Sequence, residues 1–500
     1  MCNKLFLLVF GILTFCSVPK LRAQADWLVI GDKGNAECQL VWQHLKSEYG
    51  LNDRQLLEID FPAGDQLKRS IWEDQLRPQI ANWLTAEENK ALACKKVVTL
   101  YGTPLSVGPW EDERETKPWL EFYQASLNLQ NKQLNQSLNQ LALALSLPYQ
   151  PIEVSLDANK YRERFDAFAI DAQKAMGGMT DEKAKAKALA LLQATVQEVA
   201  GLGPFLASLQ RETKSSNPQA AAQLQYLRGR ADALNGIGVL LERVPATFER
   251  DNFAMSLLQS SGGQLAVIGW LKQQIMMVQA NDSAASLGSE LALVLWPEYR
   301  RLGTVPNYLH PAFKASALAD YFPTLDVRRI DGPTVDVAKS LIDRAKTAES
   351  TQLQGNVYLD LRGIENGDSR TVQFEQWLQS VGSQMEMIPG LKVQLEKTPR
   401  LFEKDACPET MLYCGWLSMG NSIDSFTFKS GAIAYHLADE DAAGIHNAID
   451  QGWCQYFLKK GATCVIGSVG EVQPVDFQVI QGKLEFCIPV LSSGMVTFGL

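Results

Sequence analysis

The chain has 500 residues, of which 46% are apolar and 21% are charged, and its formal net charge is −9. This length predicts two or three domains, or one domain with a large insertion, and the composition is ordinary for a globular protein. A mildly acidic chain is a poor candidate for binding nucleic acid or an anionic membrane surface, so we expect neither as a partner.

The first 25 residues have the anatomy of a secretory signal peptide. Residues 1–4 are short and basic, residues 5–15 are almost wholly apolar, and residues 23–25 form a small-x-small cleavage pattern. We therefore predict an exported protein, periplasmic or extracellular, whose mature chain begins at Asp26. The alternative is a lipoprotein anchor at Cys16, but a phenylalanine precedes it where such signals carry a small residue. No later apolar run approaches the roughly 20 residues that span a bilayer, so we expect no membrane span.

Strand and helix patterns alternate in the first part of the mature chain, residues 26–118. The predicted elements are strands at 27–31, 56–61 and 96–102 and helices at 38–49 and 69–84. Alternation of this kind is typical of βαβ units around a parallel sheet. Asp32 and Thr103 are then expected at the same rim of that sheet.

The sequence pattern becomes wholly helical in residues 119–284. Leucines from Leu120 to Leu145 recur at intervals of three, four and seven in a Gln/Asn-rich background, which is typical of a coiled-coil stripe. Further helical patterns cover residues 180–211, 218–242 and 253–280, and a Ser-Gly-Gly sequence interrupts the last of them. We interpret this part as an all-helical insertion whose leucines pack together, and which caps the sheet domain or holds a partner.

The α/β pattern returns in residues 285–500. Helices are predicted at 285–295, 335–350 and 374–384, and strands at 326–331, 356–361 and 392–396. Three apolar runs then end at Cys414-Gly415-Trp416, at His436 and at Ser468–Glu471, with an amphipathic helix between the second and the third. Such runs are typical of strands buried on both faces, so the predicted fold is α/β, with a mainly parallel sheet flanked by helices.

Seven motifs carry a resemblance to a known family. In chain order they are VVTLYGTPL, SLGSELALVL, VRRIDGP, VYLDLRG, YCGW, GAIAYHL and GATCVIGSVGE. They resemble the motif series of a family of exported bacterial proteins that has no assigned function. The resemblance covers most of residues 26–110 and 285–500 and skips the helical insertion.

The chain departs from that family's pattern at three places. Gly288 stands where an acidic residue is expected, Ala438-Asp439 where Thr-Ser is expected, and Gly470-Glu471-Val472 where Val-Glu-Pro is expected. The sequence also stops before the Gly-Asp-Pro segment of the family pattern. The last strand of the sheet is therefore expected to be missing or replaced.

A second and looser resemblance is to the caspase and gingipain class of cysteine peptidases. Those chains also run a strand into a catalytic residue, then a helix, then a Gly-Ala strand that ends in Gly-Ser, as residues 431–468 do. The resemblance implies a caspase-like fold. It does not imply the chemistry, because His436 stands where the nucleophilic cysteine is expected.

Cys414 and His436 are the best candidates for catalysis by a thiolate and an imidazole. Both are predicted at the carboxyl ends of strands that can be neighbours, and such catalysis needs the two groups within hydrogen-bond reach. The alternative, which we favour, is that Cys414 is a buried strand residue and His436 a hydrogen-bonded rim residue. Seven of the nine cysteines follow residue 25, and this odd number leaves at least one thiol unpaired within a single chain.

His436, Asp439 and His446 are the candidate metal ligands, together with Glu440 and Asp441. Imidazoles and carboxylates in one loop can hold a divalent cation or polarise a water molecule. The alternative, again favoured, is that these acids mark the solvated start of a helix, where carboxylates complement the helix dipole. No other cofactor is expected.

Acid and arginine neighbours at two strand ends are the candidate binding groups. A carboxylate held at the rim of a sheet beside an arginine can serve binding, although a structural ion pair is the more frequent explanation. The predicted binding residues are Asp331, Arg329, Asp360, Arg362, Trp416 and Glu471. Because the ends of parallel strands point the same way, His436, Asp360, Trp416 and Glu471 are predicted to converge on one rim.

The sequence leaves two classes of function open. The leading hypothesis is an exported protein that binds a ligand or partner at the strand-end crevice, because no complete set of catalytic residues can be recognised in the sequence. The alternative is a hydrolase of caspase-like fold that uses Cys414 or a metal-bound water as its nucleophile.

Overall fold

The computed structural model divides into two compact units. The first contains the described residues up to Glu111, Ser283–Pro297 and those from Asn307 onward, and the second contains Asp112–Asp282 and Glu298–Pro306. The structure describes residues 26–470 and 495–498, except 91, 93, 156, 214–217, 304, 310–316, 352–353, 368, 417–422, 439 and 448–451.

A ten-stranded sheet forms the first unit, beside a small three-stranded sheet made of β3, β5 and β6. The strands are β1 (Trp27–Asp32), β2 (Leu56–Ile59), β3 (Gln66–Leu67), β4 (Lys96–Leu100), β5 (Ser106–Val107), β6 (Ala285–Ser286), β7 (Asp326–Ile330), β8 (Asn356–Leu361), β9 (Lys392–Lys397), β10 (Cys407–Trp416), β11 (Phe426–Leu437), β12 (Cys464–Ser468) and β13 (Met495–Phe498).

The strand order across the large sheet is β2-β1-β4-β7-β13-β12-β11-β10-β8-β9. Neighbours from β2 to β7 pair in parallel, and so do neighbours from β12 to β9. β13 joins the two groups, since it pairs antiparallel with β12 and is bridged to β7 through Phe498 and Arg329. The predicted α/β fold with a mainly parallel sheet is therefore confirmed.

The helices are α1 (Ala36–Tyr49), α2 (Arg69–Ile71), α3 (Arg77–Thr85), α4 (Glu87–Lys90), α5 (Thr116–Ala144), α6 (Ala158–Gly177), α7 (Glu182–Ala200), α8 (Gly203–Thr213), α9 (Pro218–Glu242), α10 (Phe248–Gln279), α11 (Leu287–Ala292), α12 (Ala317–Tyr321), α13 (Val335–Ser350), α14 (Ser369–Met385) and α15 (Trp453–Lys460). A π-helical stretch at Trp72–Leu76 joins α2 to α3, and a 3-10 turn covers Asp53–Gln55.

Helices cover both faces of the sheet at β1. Successive residues of a strand point to opposite faces, so Val29 packs against Trp42 of α1, whereas Ile30 packs against Trp72 and Ile80 of the segment from α2 to α3. All five side chains are buried. The helix that follows β1 and the helices that follow β2 therefore lie on opposite faces.

The same alternation organises the other half of the sheet. Tyr413 of β10 packs on one face with Phe457 of α15, and Cys414 packs on the other face with Leu378 of α14. A strand buried on both faces produces a continuous apolar run, which is the pattern seen in the sequence from Met411 onward.

The helix predicted at 285–295 is present but shorter than predicted. Residues Ala285–Ser286 form β6, which pairs with β5, and a helix of only six residues follows. The Ser286 hydroxyl accepts a hydrogen bond from the Ser289 backbone N–H at 3.0 Å, so the helix begins after this cap rather than before it.

The second unit contains helices α5 to α10. The leucines at 127, 134, 138 and 141 of α5 are buried in its core, as the stripe predicted. The residues predicted as helical over 180–211 are helical, but they form two helices, because α7 ends at Ala200 and its C-cap Gly201 has φ 62° and ψ −141°. Helix α6 was not predicted.

No single helix among the described residues is long and apolar enough to cross a membrane, and α7 and α8 meet that criterion only as a pair bent by 117°.

Two helix breaks in this unit contact each other. Gly263 interrupts α10 with φ 68°, and the Leu202 backbone N–H donates to the Ser261 carbonyl at 2.9 Å. A Cβ atom on Gly263 would lie 2.6 Å from the Val199 carbonyl oxygen, and one on Gly201 would lie 2.4 Å from the Ser261 carbonyl oxygen. Only glycine fits either position, because both the backbone conformation and the space exclude a side chain.

Candidate functional site

The chain changes direction across the sheet at β1, and this defines the first candidate crevice. From β1 it crosses by α1 to β2 on one side, and from β2 it crosses by α2 and α3, over the opposite face, to β4 on the other side. Open α/β sheets bind ligands outside the carboxyl ends of strands at such a switch point. Asp32, at the end of β1, and Tyr101, which follows β4, lie at this edge.

His446 is the central side chain at this edge. Its Nδ1 lies 2.7 Å from Oδ1 of Asp65, and its Nε2 lies 2.9 Å from Oδ1 of Asp331. Tyr101 contacts the imidazole edge-on, with 5.7 Å between ring centres. Burial lowers the pKa of His446, but the hydrogen bonds and negative charges of Asp331 and Asp65 outweigh it and raise that pKa to about 10. The imidazole is therefore protonated at neutral pH and donates to both carboxylates.

Asp331 is fully buried beneath this histidine. Its Oδ2 lies 2.6 Å from Nη1 of Arg329, and its Oδ1 also accepts from the Gly332 backbone N–H at 2.8 Å. Arg329 in turn donates to the Thr103 carbonyl at 2.9 Å and to the Pro104 carbonyl. The predicted binding pair Arg329 and Asp331 is thus an ion pair that ties β7 to the loop after β4 and supports His446 from below.

Asp65 is the accessible member of the arrangement. Its side chain is 43% exposed, compared with 19% for His446 and 0% for Asp331. The Asp65 backbone carbonyl accepts from the N–H groups of Leu105 and Ser106, which fixes the loop that carries it. A molecule approaching this edge therefore meets the Asp65 carboxylate first.

A second polar cluster lies where β8 is flanked by β9 and β10. The Tyr413 hydroxyl lies 3.1 Å from Oδ2 of Asp360 and 3.0 Å from Nδ1 of His436, and Arg362 forms an ion pair with Asp360. Trp453 stacks on the His436 ring with 4.4 Å between centres. An ionised Asp360 can only accept hydrogen bonds, so the Tyr413 O–H donates to it. The Tyr413 oxygen then accepts from His436, whose Nδ1 carries the hydrogen.

This second cluster is closed to solvent. Asp360 and His436 are each 1% exposed, Arg362 is 5% exposed and Tyr413 is 0% exposed. Burial raises the pKa of Asp360 to about 6, against the opposing effects of the Arg362 charge and the Tyr413 hydrogen bond. Burial also raises the pKa of Tyr413. The cluster is therefore an internal polar network rather than an open binding surface.

Trp416 does not join His436, contrary to the predicted convergence. Its indole N–H donates to Oε1 of Glu375 at 2.5 Å on the face of α14, and Glu375 also accepts from the Arg362 and Gly363 N–H groups at 2.9 and 2.8 Å. Trp416 follows Tyr413 by three residues, so strand alternation sends the two side chains to opposite faces. Glu471, the other predicted member, lies outside the described residues.

The predicted pair of Cys414 and His436 is wrong for the same reason. The strands are neighbours, as expected, but Gly415 pairs with His436 and Cys414 pairs with Tyr435. The thiol and the imidazole consequently point to opposite faces of the sheet. Burial and the Asp360 charge raise the pKa of Cys414 to about 12, so this thiol is not activated.

The predicted metal ligands have other roles where the structure describes them. Both ring nitrogens of His446 are bonded to carboxylates, and Asp441 accepts from the N–H groups of Trp453 and Cys454 at 2.8 and 2.9 Å. Asp441 thus binds the first N–H groups of α15 from a preceding loop. The alternative interpretation is wrong for this residue, because Asp441 is buried and lies in turns rather than at the solvated start of a helix. Asp439 lies outside the described residues. Within the described part of the chain, no three His, Cys, Asp or Glu side chains are grouped to hold a metal ion.

Three polar residues of these sites were not identified from the sequence: Asp65, Glu375 and Tyr413. Tyr413 carried a usable signal, because it is the one polar tip between two apolar neighbours in a strand pattern. Asp65 carried none, because it follows an irregular Phe-Pro-Ala-Gly loop whose path depends on the rest of the sheet.

No family model, no curated protein and no solved structure matches this chain. The family and peptidase resemblances seen in the motifs therefore stay predictions, and the site is defined by its geometry. Fold and site together describe an α/β protein with a mainly parallel sheet and a carboxylate–imidazolium–carboxylate arrangement at the strand ends.

Proposed function

We propose that this is an exported binding protein whose ligand site lies at the carboxyl ends of β1, β4 and β7, around Asp65, His446 and Asp331. The observation that supports it is the partly exposed Asp65–His446–Asp331 arrangement at a switch point of the sheet, the position at which open α/β sheets bind ligands. The second polar cluster, around Asp360, is a weaker candidate because its polar groups are buried.

The ligand proposed for this site donates hydrogen bonds. Both N–H groups of His446 are used internally, so the group that faces outward is the Asp65 carboxylate, which accepts. Further acceptors lie along the same edge: the Asp32 carboxylate, which also accepts from the Gly34 N–H at 3.0 Å, and the exposed Glu37 beside Tyr101. Ligands with amine groups therefore match this edge better than phosphates or carboxylates.

Nothing among the described residues supports the alternative function as a cysteine hydrolase. Burial raises the pKa of five thiols, those of Cys38, Cys94, Cys407, Cys414 and Cys464. A nucleophilic cysteine needs the opposite, a thiolate stabilised at neutral pH by a nearby positive charge. The described cysteines therefore give no support to a second function as a cysteine hydrolase.

The test is a thermal-shift screen with a set of small amines, including polyamines and amino sugars, on the natural sequence and two variants. Asp65→Asn removes the outward carboxylate. Asp53→Asn is the matched control, since Asp53 is 77% exposed in the same unit and forms an ion pair with Lys46. A specific amine should raise the melting temperature of the natural protein and of Asp53→Asn but not of Asp65→Asn. Amines that shift all three proteins equally would contradict the proposed site.

A further inference from the structure

A cavity of about 270 Å³ lies in the second unit, between the loop that follows α5 and one face of α6. It is lined by four apolar and two charged side chains, those of Leu147, Pro148, Phe168, Ala175, Asp171 and Lys174. The four that belong to α6 are spaced at i, i+3, i+6 and i+7, which places them on the same face of that helix. The charged groups and the apolar groups therefore border one shared space.

The loop side of the cavity is shaped by the end of α5. Ser146, just beyond the helix, is in the left-handed conformation with φ 54°, and the Leu147 N–H donates to the Ala142 carbonyl at 2.9 Å. Leu147, Phe168 and Ala175 are partly buried and pack against the same apolar cluster of this unit. The apolar floor of the cavity is thus an extension of the core.

Phe168 is held in place from the side of the loop. The Tyr149 ring contacts it edge-on, with 5.6 Å between ring centres, and the Tyr149 hydroxyl donates to Oδ1 of Asn135 on α5. Asn135 also accepts from the Ile152 N–H at 2.7 Å and donates to the Ile152 carbonyl at 3.0 Å. Because these internal contacts fix both the loop and the ring, a ligand has little of the site left to order, which favours binding.

Asp171 and Lys174 stand at the mouth of the cavity, where their side chains are 63% and 74% exposed. Oδ1 of Asp171 lies 3.7 Å from Nζ of Lys174. An exposed ion pair of this length contributes little to stability, so a ligand can separate the two groups at small cost. The mouth therefore offers one negative and one positive group beside an apolar floor.

We propose that this cavity binds a free α-amino acid with an apolar side chain. The ammonium group of the ligand donates to Asp171, its carboxylate accepts from Lys174, and its side chain lies against Phe168 and Leu147. An apolar cavity of about 150 Å³ holds a benzene ring, so one of about 270 Å³ has room for the side chain of leucine or phenylalanine. A ligand with a single charge would leave Asp171 or Lys174 without its partner.

This site is separate from the proposed amine site. It lies in the second unit and uses none of the residues around His446. The two sites also differ in chemistry, because the amine site presents only acceptors whereas this cavity presents a carboxylate and an ammonium group together.

Isothermal titration calorimetry of the full chain with L-leucine, L-phenylalanine and glycine tests the proposal. At least one of the two apolar amino acids should bind, and glycine should not, because it has no side chain to fill the cavity. The N-acetyl and amide derivatives of the amino acid that binds each lack one charge and should bind at least about fivefold more weakly. The proposal is overturned if neither amino acid shows saturable binding, or if the derivatives bind as well as the parent compound.

Variants locate the binding in the cavity. Asp171→Asn and Lys174→Gln should each weaken it at least about fivefold, and Ala175→Leu, which fills the cavity but keeps both charges, should abolish it. Asp166→Asn changes another exposed acid of α6 and is the control, with affinity unchanged. If Ala175→Leu does not fold, the two charge variants decide. Binding that is lost in Asp65→Asn but kept in Asp171→Asn would place the amino acid at the amine site and overturn the proposal.

Discussion

His446 and Asp331 are 115 residues apart in the sequence, and Nε2 of the first lies 2.9 Å from Oδ1 of the second. This contact fixes the segment after β11 to the end of β7, although β13 and β12 stand between the two strands in the sheet. The contact therefore joins the two groups of parallel strands at their carboxyl edge by side chains, in addition to the backbone pairing through β13.

Replacing Asp331 with asparagine should destabilise the protein strongly. The change leaves the Arg329 charge buried without its carboxylate and weakens the support of His446, and removing one partner of a buried pair costs about 3–5 kcal/mol. Urea unfolding at pH 7 measures this cost. The control is Asp326→Asn on the same strand, whose pair is partly exposed and contributes about 1 kcal/mol or less. Equal losses of unfolding free energy in the two variants would contradict the larger contribution of the buried pair.

Protonated His446 should make stability depend on pH above neutrality. Its pKa is raised from 6.5 to about 10 in the folded state, so the stabilisation is fully present below pH 6.5 and is lost as pH rises through 10. The shift corresponds to a loss on the order of 4 kcal/mol. Unfolding free energies measured between pH 6.5 and 10 should fall more steeply for the natural protein than for His446→Gln. Parallel curves for the two proteins would mean that the imidazole is not held as a cation.

The Cys414 thiol should be inert in the folded protein. Its pKa is raised from 9.0 to about 12, which lowers the thiolate fraction at pH 8 by about a thousandfold. Iodoacetamide labelling followed by peptide mass spectrometry should find Cys414 unmodified in native protein and modified in urea. Fast labelling of the native thiol that disappears in His436→Ala would instead restore the cysteine hydrolase.

The glycine at the break in α10 should resist substitution. In Gly263→Ala the new Cβ would lie 2.6 Å from the Val199 carbonyl oxygen at φ 68°, so we expect a loss of at least ~2 kcal/mol. Gly236→Ala is the matched control, because Gly236 lies inside α9 with open space around it and should gain about 0.5–1 kcal/mol. Thermal unfolding of the two variants distinguishes them, and similar melting temperatures would contradict the close contact between the helix breaks.

Local patterns predicted the elements well, since periodicity and boundary residues act over a few positions. The helix at 335–350 and the strand at 356–361 have the predicted bounds. The predicted contact between Cys414 and His436 was wrong because it depends on the pairing register between β10 and β11. The register decides which residues share a face of the sheet, and it cannot be read from the sequence. The contacts of His446 with Asp65 and Asp331 could not be predicted, because predicting them requires knowledge of the order of the strands in the sheet.

The helix break at Gly201 was missed for a different reason. The sequence Gly201-Leu-Gly-Pro204 does carry a local signal for a break, but the helical preference of the Ala, Leu and Gln residues on both sides outweighed it in the prediction. The break after Ser261 was visible because two consecutive glycines follow that residue.

The position of β13 has a consequence for solubility. This strand of four residues lies between β7 and β12 and connects the four strands on one side of it with the five on the other. A chain cut before Met495 would keep both groups but leave β7 and β12 with unpaired backbone N–H and C=O groups along one side. Unpaired edges of this kind recruit strands from other molecules, so such a truncated protein is expected to aggregate even though every residue of both candidate sites is retained.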